Sequence, residues 1–487
     1  MKSTPSTVTP VLIGGKFTQA RSGETLEAIN PATGEVIGLV PACDAADVDD
    51  AVTAAAEAAP AWAAMPAAER GELLYEFARQ IEENADELAG LDVRDNGSPI
   101  REMAKDAATA AAQVRFFAGQ ALMLRGETIP TTAGRVNYTL RQPWGVVGRI
   151  IPFNHPFMFA ATKVAAPLVA GNTVVLKPSE FTSLSALRLA EIFADIFPAG
   201  VVNVVTGLGA TAGDAIVRHP AVRRLAFIGS EATGRIIQGR AAEIAVKDVT
   251  LELGGKNALV VFPDADLEAA VDGAVRGMNF TWQGQSCGST SRLLVHRDIH
   301  DRLVAELAQR VDAMRSGMPD DPNTETGAIV NRLQYDKVLR YIEIGSSDGG
   351  RLEAGGGPAE GPGLDKGLFV RPTVFSGVDP SSRLAMEEVF GPVLAVMPFD
   401  SYEHAISIAN RVEYGLTASV FTRDLALAHS FARDVEAGYV WVNDSSKHFL
   451  GTAFGGWKNS GVGREEGLEE LESYSQIKNV NVRFADD

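Results

Sequence analysis

Cysteine is nearly absent from this chain: two residues in 487, Cys43 and Cys287. Two thiols exclude a disulfide framework and a cysteine-built metal site. Histidine is scarce too, with seven residues and a single pair at HxxxH spacing, His296 and His300, and no metal is expected. Basic side chains fall short of acidic ones by 62 − 44 = 18, for a formal net charge of −18. A field of that sign disfavours DNA, RNA and anionic membrane surfaces, and favours solubility. A small anion can still bind at a helix N-terminus. Long apolar runs are missing as well. The most apolar stretch, residues 150–176, contains His155 and Lys163, so it offers no span of about 18 uncharged residues. The start, MKSTPSTVTP, and the short VLIGG after it do not make a signal peptide. The expectation is a cytoplasmic protein with no membrane and no nucleic-acid partner.

What is present points to a folded α/β chain. Hydrophobic residues at 46% and charged residues at 22% are ordinary for globular proteins. A length of 487 residues exceeds one core, so two or three domains are expected. The first segment reads as short strands and turns, VLIGGKF and ETLEAINPATGEVIGLVPA. From Asp47 to about Met123 the pattern is helical, in three Ala-rich stretches. From Arg141 strands and helices alternate: VVGRIIPF, TVVLK, VVNVV, RRLAFIG and VTLEL are the strands. A second series begins at ALVVF and continues through RLLVH, a helix from Asp301, FVRPTVF, VLAVMPF, ASVFT and YVWVN. This is the βαβ rhythm of parallel sheets.

Several short segments carry groups suited to chemistry. In WQGQSCGSTSR, Gly284 and Gly288 flank Cys287 without crowding it. Taken alone, that thiol also reads as a small buried hydrophobe. In TLELGGKN a strand ends in Glu252, where a carboxylate can act as a general base toward water. A surface Glu beside a turn fits equally. In PFNHPF, Asn154 follows a buried strand, and its amide can donate to a developing oxyanion or simply cap a turn. FIGSEATG spaces Gly229 and Gly234 five apart after a strand, which suits a pyrophosphate, although it is not GxGxxG. LKPSE sets Lys177 and Glu180 where they can reach ribose hydroxyls, or merely form a strand-to-helix connection.

Order and co-occurrence decide among these alternatives. PFNHPF, KPSE, FIGSEATG, LELGGK, GQSCGS and EEVFGPV follow one another in one chain, with GGWKNSGVGRE near the end. In these segments the chain resembles the aldehyde dehydrogenase superfamily, over residues 10–480. The resemblance implies an NAD-dependent, hydrolytic, non-CoA-acylating enzyme. Cys287 is then the nucleophile that forms a thiohemiacetal and then a thioester. Glu252 activates the hydrolytic water, and the amide of Asn154 with the backbone N–H of Cys287 forms the oxyanion hole. For the cofactor, Lys177 and Glu180 match adenosine-ribose contacts, and Gly229, Ser230 and Gly234 the pyrophosphate turn. Glu388, with Phe390 beside it, matches the nicotinamide-ribose carboxylate. A carboxylate at Glu180 favours NAD, while some relatives with this Glu also accept NADP.

The sequence departs from many relatives around the oxyanion Asn, where Phe153 and His155 stand. By position His155, Phe157, Met158, Thr162, Ser286 and Phe454 approach the aldehyde tunnel, with Trp282 a further candidate. Most are apolar, so a medium-sized aromatic or aliphatic aldehyde is expected. His155 reads equally as a capping or packing residue. The resemblance also implies an architecture: a Rossmann-type cofactor domain (1–130 and 148–253), an α/β catalytic domain (254–450) and a small β-arm (131–147 and 466–487). Arm segments AGRVNYTLRQPWG and SQIKNVNVRF alternate as exposed strands do, and a homodimer or homotetramer is expected to cover them. Three rivals remain. A CoA-acylating relative is disfavoured by Glu252, a non-catalytic binding protein by the presence of both Cys287 and Glu252, and a plain esterase by the cofactor motifs.

Overall fold

A computed structural model describes residues 7–484; residues 1–6, within the opening MKSTPSTVTP, and residues 485–487, at the end of the expected arm, lie outside the described residues. The first of two large sheets has eight strands, in the order 16–18, 11–13, 202–204, 173–177, 146–150, 222–228, 248–252 and 461–462. The five from 202–204 to 248–252 run parallel. Thr173–Lys177 is buried throughout, the pattern of a strand covered on both faces. From 146–150 the chain first builds one side, 173–177 and 202–204, then returns to build the other, 222–228 and 248–252. That reversal opens a crevice between the ends of 146–150 and 222–228, where open α/β sheets bind ligands.

The expected three Ala-rich helices are four: α1 Ala45–Ala64, α2 Ala67–Glu83, α3 Ala85–Asn96 and α4 Ile100–Gly119. Pro66 and Pro99 each stand at an N-cap, where a missing N–H costs nothing. Gly97, at φ 87°, ends α3 in the left-handed conformation. Asp44 and Asp47 form a capping box on α1. The sheet is completed by α5 Pro156–Val169, α6 Leu184–Ile196, the short α7 Asp214–Arg218 and α8 Glu231–Ile244. Trp62, Phe77, Phe117, Phe157 and Phe193 from α1, α2, α4, α5 and α6 share one core with its strands.

The second sheet has seven strands, ordered 351–354, 373–376, 393–399, 292–296, 258–261, 417–421 and 439–442. Only 351–354 is antiparallel to its neighbour. Along 258–261, Ala258 and Val260 enter one apolar cluster while Leu259 and Val261 enter another, the period-2 signature of a strand between two layers. The strand expected over FVRPTVF shortens to Thr373–Ser376, because Pro372 has no N–H for the ladder. The helix expected from Asp301 begins at Arg297, where His296 accepts from the Asp298 amide. Five residues, 253–257, lead from the carboxyl end of strand 248–252 to the amino end of strand 258–261. These two sheet edges therefore face each other, and the site lies between them. A third sheet pairs Arg135–Pro143 with Ser475–Arg483 and Thr128–Ile129, all antiparallel.

Candidate active site

Parallel register brings the predicted motifs to one edge. Ile150 pairs with Lys177 and Phe227, and Ile228 with Glu252. The loops carrying Asn154, Glu180, Gly229 and Gly254 all leave the sheet there. Cys287 comes from the opposite edge, on a loop that turns through Asn279 (φ 54°), Gln283 (φ 53°) and Gly284 (φ 64°). A Cβ on Gly284 would overlap the Gly391 carbonyl, so only glycine fits. Asn257 pins this loop. Its Nδ2 donates to the carbonyls of Cys287 (2.7 Å) and Ser289 (3.0 Å), and its Oδ1 accepts from the Thr417 amide (3.0 Å).

Two cavities meet at the thiol. A cleft is walled by Phe153, Gly229, Ser230, Gly254, Glu388 and Phe390. A second cavity, 430 Å³, is lined by His155, Met158, Trp282, Ser286 and Phe454. Asn154, Glu252 and Cys287 line both. Phe157 and Thr162 do not join them: their faces of α5 are buried, with Phe157 in the core. Charged side chains missed in sequence also line the second cavity, among them Lys105, Asp106, Lys447, His448 and Glu466. This wall is therefore more polar than the apolar expectation. No local signal marks these residues, because α4 and the 446–466 segment meet α5 only in the fold. His155 Nδ1 lies 2.8 Å from Asp106, its ring against Phe159 and Trp282. His448 Nδ1 lies 3.0 Å from Glu466, its ring against Phe454. Burial opposes charge on His448, but Glu466 more than offsets it and raises the imidazole.

Electrostatics at the meeting point are set by burial. The Cys287 thiol is pushed up to about 12, by burial first and then by the carboxylates of Glu252, Glu388 and Glu466. Both Glu252 oxygens are buried without a hydrogen-bond partner among the described residues. Burial, then the charge of Glu465, holds the Glu252 carboxyl well above the usual carboxylate range. Glu465 is the opposite case. Burial opposes its charge, yet Arg149 at 2.6 Å and Lys163 at 2.8 Å hold it down at about 2. Glu388 accepts from the Gly255 amide at 2.9 Å, and burial raises it. A Cβ on Gly254 would overlap this carboxylate, which accounts for one glycine of LELGGK.

The family model of the aldehyde dehydrogenase family matches residues 17–480. This chain belongs to the aldehyde dehydrogenase family. Aldehyde dehydrogenase tropH of Talaromyces stipitatus is 45% identical over 477 residues, covering 96% of this chain and 92% of that relative. PnpE of Pseudomonas sp. WBC-3, solved in complex with nicotinamide adenine dinucleotide, matches with a TM-score of 0.96 at 44% identity over 98% of both chains. The NAD+ complex of an aldehyde dehydrogenase from Bacillus cereus matches at 0.95 and 41%, over 98% of this chain and 96% of that one. The chain is an NAD-dependent aldehyde dehydrogenase with a Rossmann-like first sheet, and it oxidises aldehydes. Among the described residues no helix is long and apolar enough to cross a membrane.

The cleft of this dehydrogenase carries groups suited to an anionic ligand. Ser230 caps α8, its Oγ accepting from the Thr233 amide at 3.3 Å. The positive end of a 14-residue helix thus opens onto the cleft, where it attracts phosphate. A Cβ on Gly229 would overlap the Phe227 ring. Gly234 is buried one turn on, against Leu253, and packs α8 on the sheet instead of facing the cleft. Lys177 is buried, donates to the Pro178 carbonyl at 2.9 Å and lies 3.6 Å from Glu180. Burial lowers this amine. Glu180 itself lines a neighbouring cavity with Phe181, Leu208 and Asn331. Gln334 and Lys337 line the cleft and escaped the sequence reading, since their helix shows only an amphipathic pattern. Gln334 Nε2 donates to the carbonyls of Val389 and Phe390, steadying Phe390 at φ 56°.

Proposed function

We propose that aldehyde oxidation runs through a covalent thioester on Cys287. The Cys287 thiol gives up its proton to solvent as Sγ adds to the aldehyde carbon, and the side-chain N–H of Asn154 and the backbone N–H of Cys287 donate to the oxyanion. NAD, when bound, accepts the hydride released as the thiohemiacetal becomes a thioester. Glu252 then takes a proton from water as it attacks the thioester, and Cys287 departs as thiolate, leaving the carboxylic acid. The single observation carrying this reading is that Asn154, Glu252 and Cys287 line both the cleft and the second cavity. The unpartnered oxygens of Glu252 suit a base that must reach a water. For NAD we assign Gly229, Ser230 and the first turn of α8 to the pyrophosphate, with Gly234 setting that turn. Lys177 and Glu180 go to the adenosine ribose, and Glu388 with Phe390 to the nicotinamide ribose.

The substrate in this reading is a medium-sized aromatic or aliphatic aldehyde, enclosed by Met158, Phe159, Trp282 and Phe454. The His155–Asp106 and His448–Glu466 pairs favour one with a polar group at its far end. The proposed division assigns 1–130 and 148–253 to the cofactor, 254–450 to the catalytic loop, and 131–147 with 466–487 to a homodimer or homotetramer arm, in a cytoplasmic enzyme. NADH production across aromatic, aliphatic, ω-amino and betaine aldehydes tests the reading. Turnover should be highest with aromatic or medium aliphatic members, yield the free acid and vanish in Cys287→Ala. Acyl-CoA formed from aldehyde, NAD and CoA would overturn hydrolytic release.

A further inference from the structure

The end of α3 and the residues behind it are buried although they are polar. Asp92, Asp95 and Asn96 are fully shielded, and Ser98 is 1% exposed. Buried polar networks of this kind rigidify what they bond to. Asp95 accepts from the Leu184 amide at the start of α6, whereas the partners of Asp92, Asn96 and Ser98 belong to the two segments that carry Asn154 and Cys287. Asn96 Nδ2 donates to the Phe153 carbonyl at 2.5 Å. One helical turn earlier, Asp92 accepts from the Phe157 amide at 3.1 Å. The turn is thus gripped on both sides of Asn154. Asn154 Oδ1 has no partner among the described residues, so this grip on its backbone sets its placement. On the other side, the Ser98 hydroxyl is shared between Asn96 Oδ1 and Gln283 Oε1, 3.1 Å from the latter. Gln283 holds its left-handed conformation, at φ 53°, four residues before Cys287. Such a conformation persists in a non-glycine residue only where its surroundings over-determine it.

We propose that Asn96 and Ser98 are positioning residues for aldehyde oxidation. They form a bridge, Phe153 to Asn96 to Ser98 to Gln283, that fixes the oxyanion donor relative to the thiol. The proposal rests on the roles assigned above to Asn154 and Cys287. Neither bridging residue lines the cavities at Cys287, so both act through the two loops. Misplacement of reacting groups by about 1 Å costs on the order of 100-fold in rate, and a bridge of this kind prevents it.

A double-mutant cycle on the pre-steady-state NADH burst tests the bridge. Ser98→Ala should slow the burst about 10-fold in the otherwise unchanged enzyme, yet less than about 2-fold in an Asn154→Ala background, where the donor it places is gone. Ser98→Thr should restore the rate, while NAD affinity and the alkylation rate of Cys287 by iodoacetamide stay as they were. An equal loss in both backgrounds, or no loss in either, overturns the proposal. Should Ser98→Ala fail to fold, Asn96→Asp is measured in the same cycle, since it keeps the acceptor toward Ser98 and loses the donor toward Phe153. If Asn154→Ala alone leaves the burst intact, the oxyanion reading fails first and the bridge falls with it.

Discussion

At the scale of single residues, Glu252 shows how environment assigns a role. Its carboxyl is raised by burial and by Glu465, and a general base works only after losing its proton. The rising limb of the kcat–pH profile should therefore lie above the usual carboxylate range. Glu465→Gln removes the like charge and frees Arg149 and Lys163 to act on Glu252, so it should move that limb to lower pH. Glu252→Gln should keep the NADH burst and slow steady turnover by about 100-fold or more, as rapid-quench and stopped-flow measurements can separate. Glu180→Ser should erode the preference for NAD over NADP, read as the ratio of the two kcat/KM values. An unchanged ratio would remove Glu180 from the ribose contact.

At the scale of elements, the nucleophile loop depends on the sheet edge below it. Asn257 ties Cys287, Ser289 and Thr417 together through three bonds while 3% exposed. Asn257→Ala leaves those buried backbone groups unpaired, each costing about 1–3 kcal/mol. Chemical denaturation should show a loss of about 3 kcal/mol or more, with a weaker NADH burst; a stable, fully active variant would contradict this account. In sequence Asn257 is only the last letter of TLELGGKN, because its partners lie 30 to 160 residues away. The division into four helices escapes a local pattern for a simpler reason. Periodicity runs on through Ala-rich segments, and a few residues divide them: Pro66, Asn84, and Gly97 with Pro99.

At the scale of the whole molecule, the third sheet stands out. Val136, Leu140 and Val482 lie on one face, the first and last directly paired, and each is about two-fifths exposed. Apolar positions on an open sheet normally meet a partner, and a second copy fits the proposed homo-oligomer. Leu140→Asp together with Val482→Asp should lower the mass measured by light scattering. An unchanged mass would place the interface elsewhere.

The sequence by itself determined the α/β class, the order of the motifs and the family, because period-2 and period-3.6 patterns and contiguous motifs are local properties. It also brought out Cys287, Glu252 and Asn154, each inside a short segment that can be read without its neighbours. Tertiary structure alone decided what surrounds them. The polar wall of the second cavity, the Asn257 tether and the Asn96–Ser98 bridge join residues distant in sequence, and no local pattern encodes such meetings. The same holds for charge. Whether a carboxyl is raised like Glu252 or held down like Glu465 depends on the cations packed against it, and packing places those only once the chain has folded.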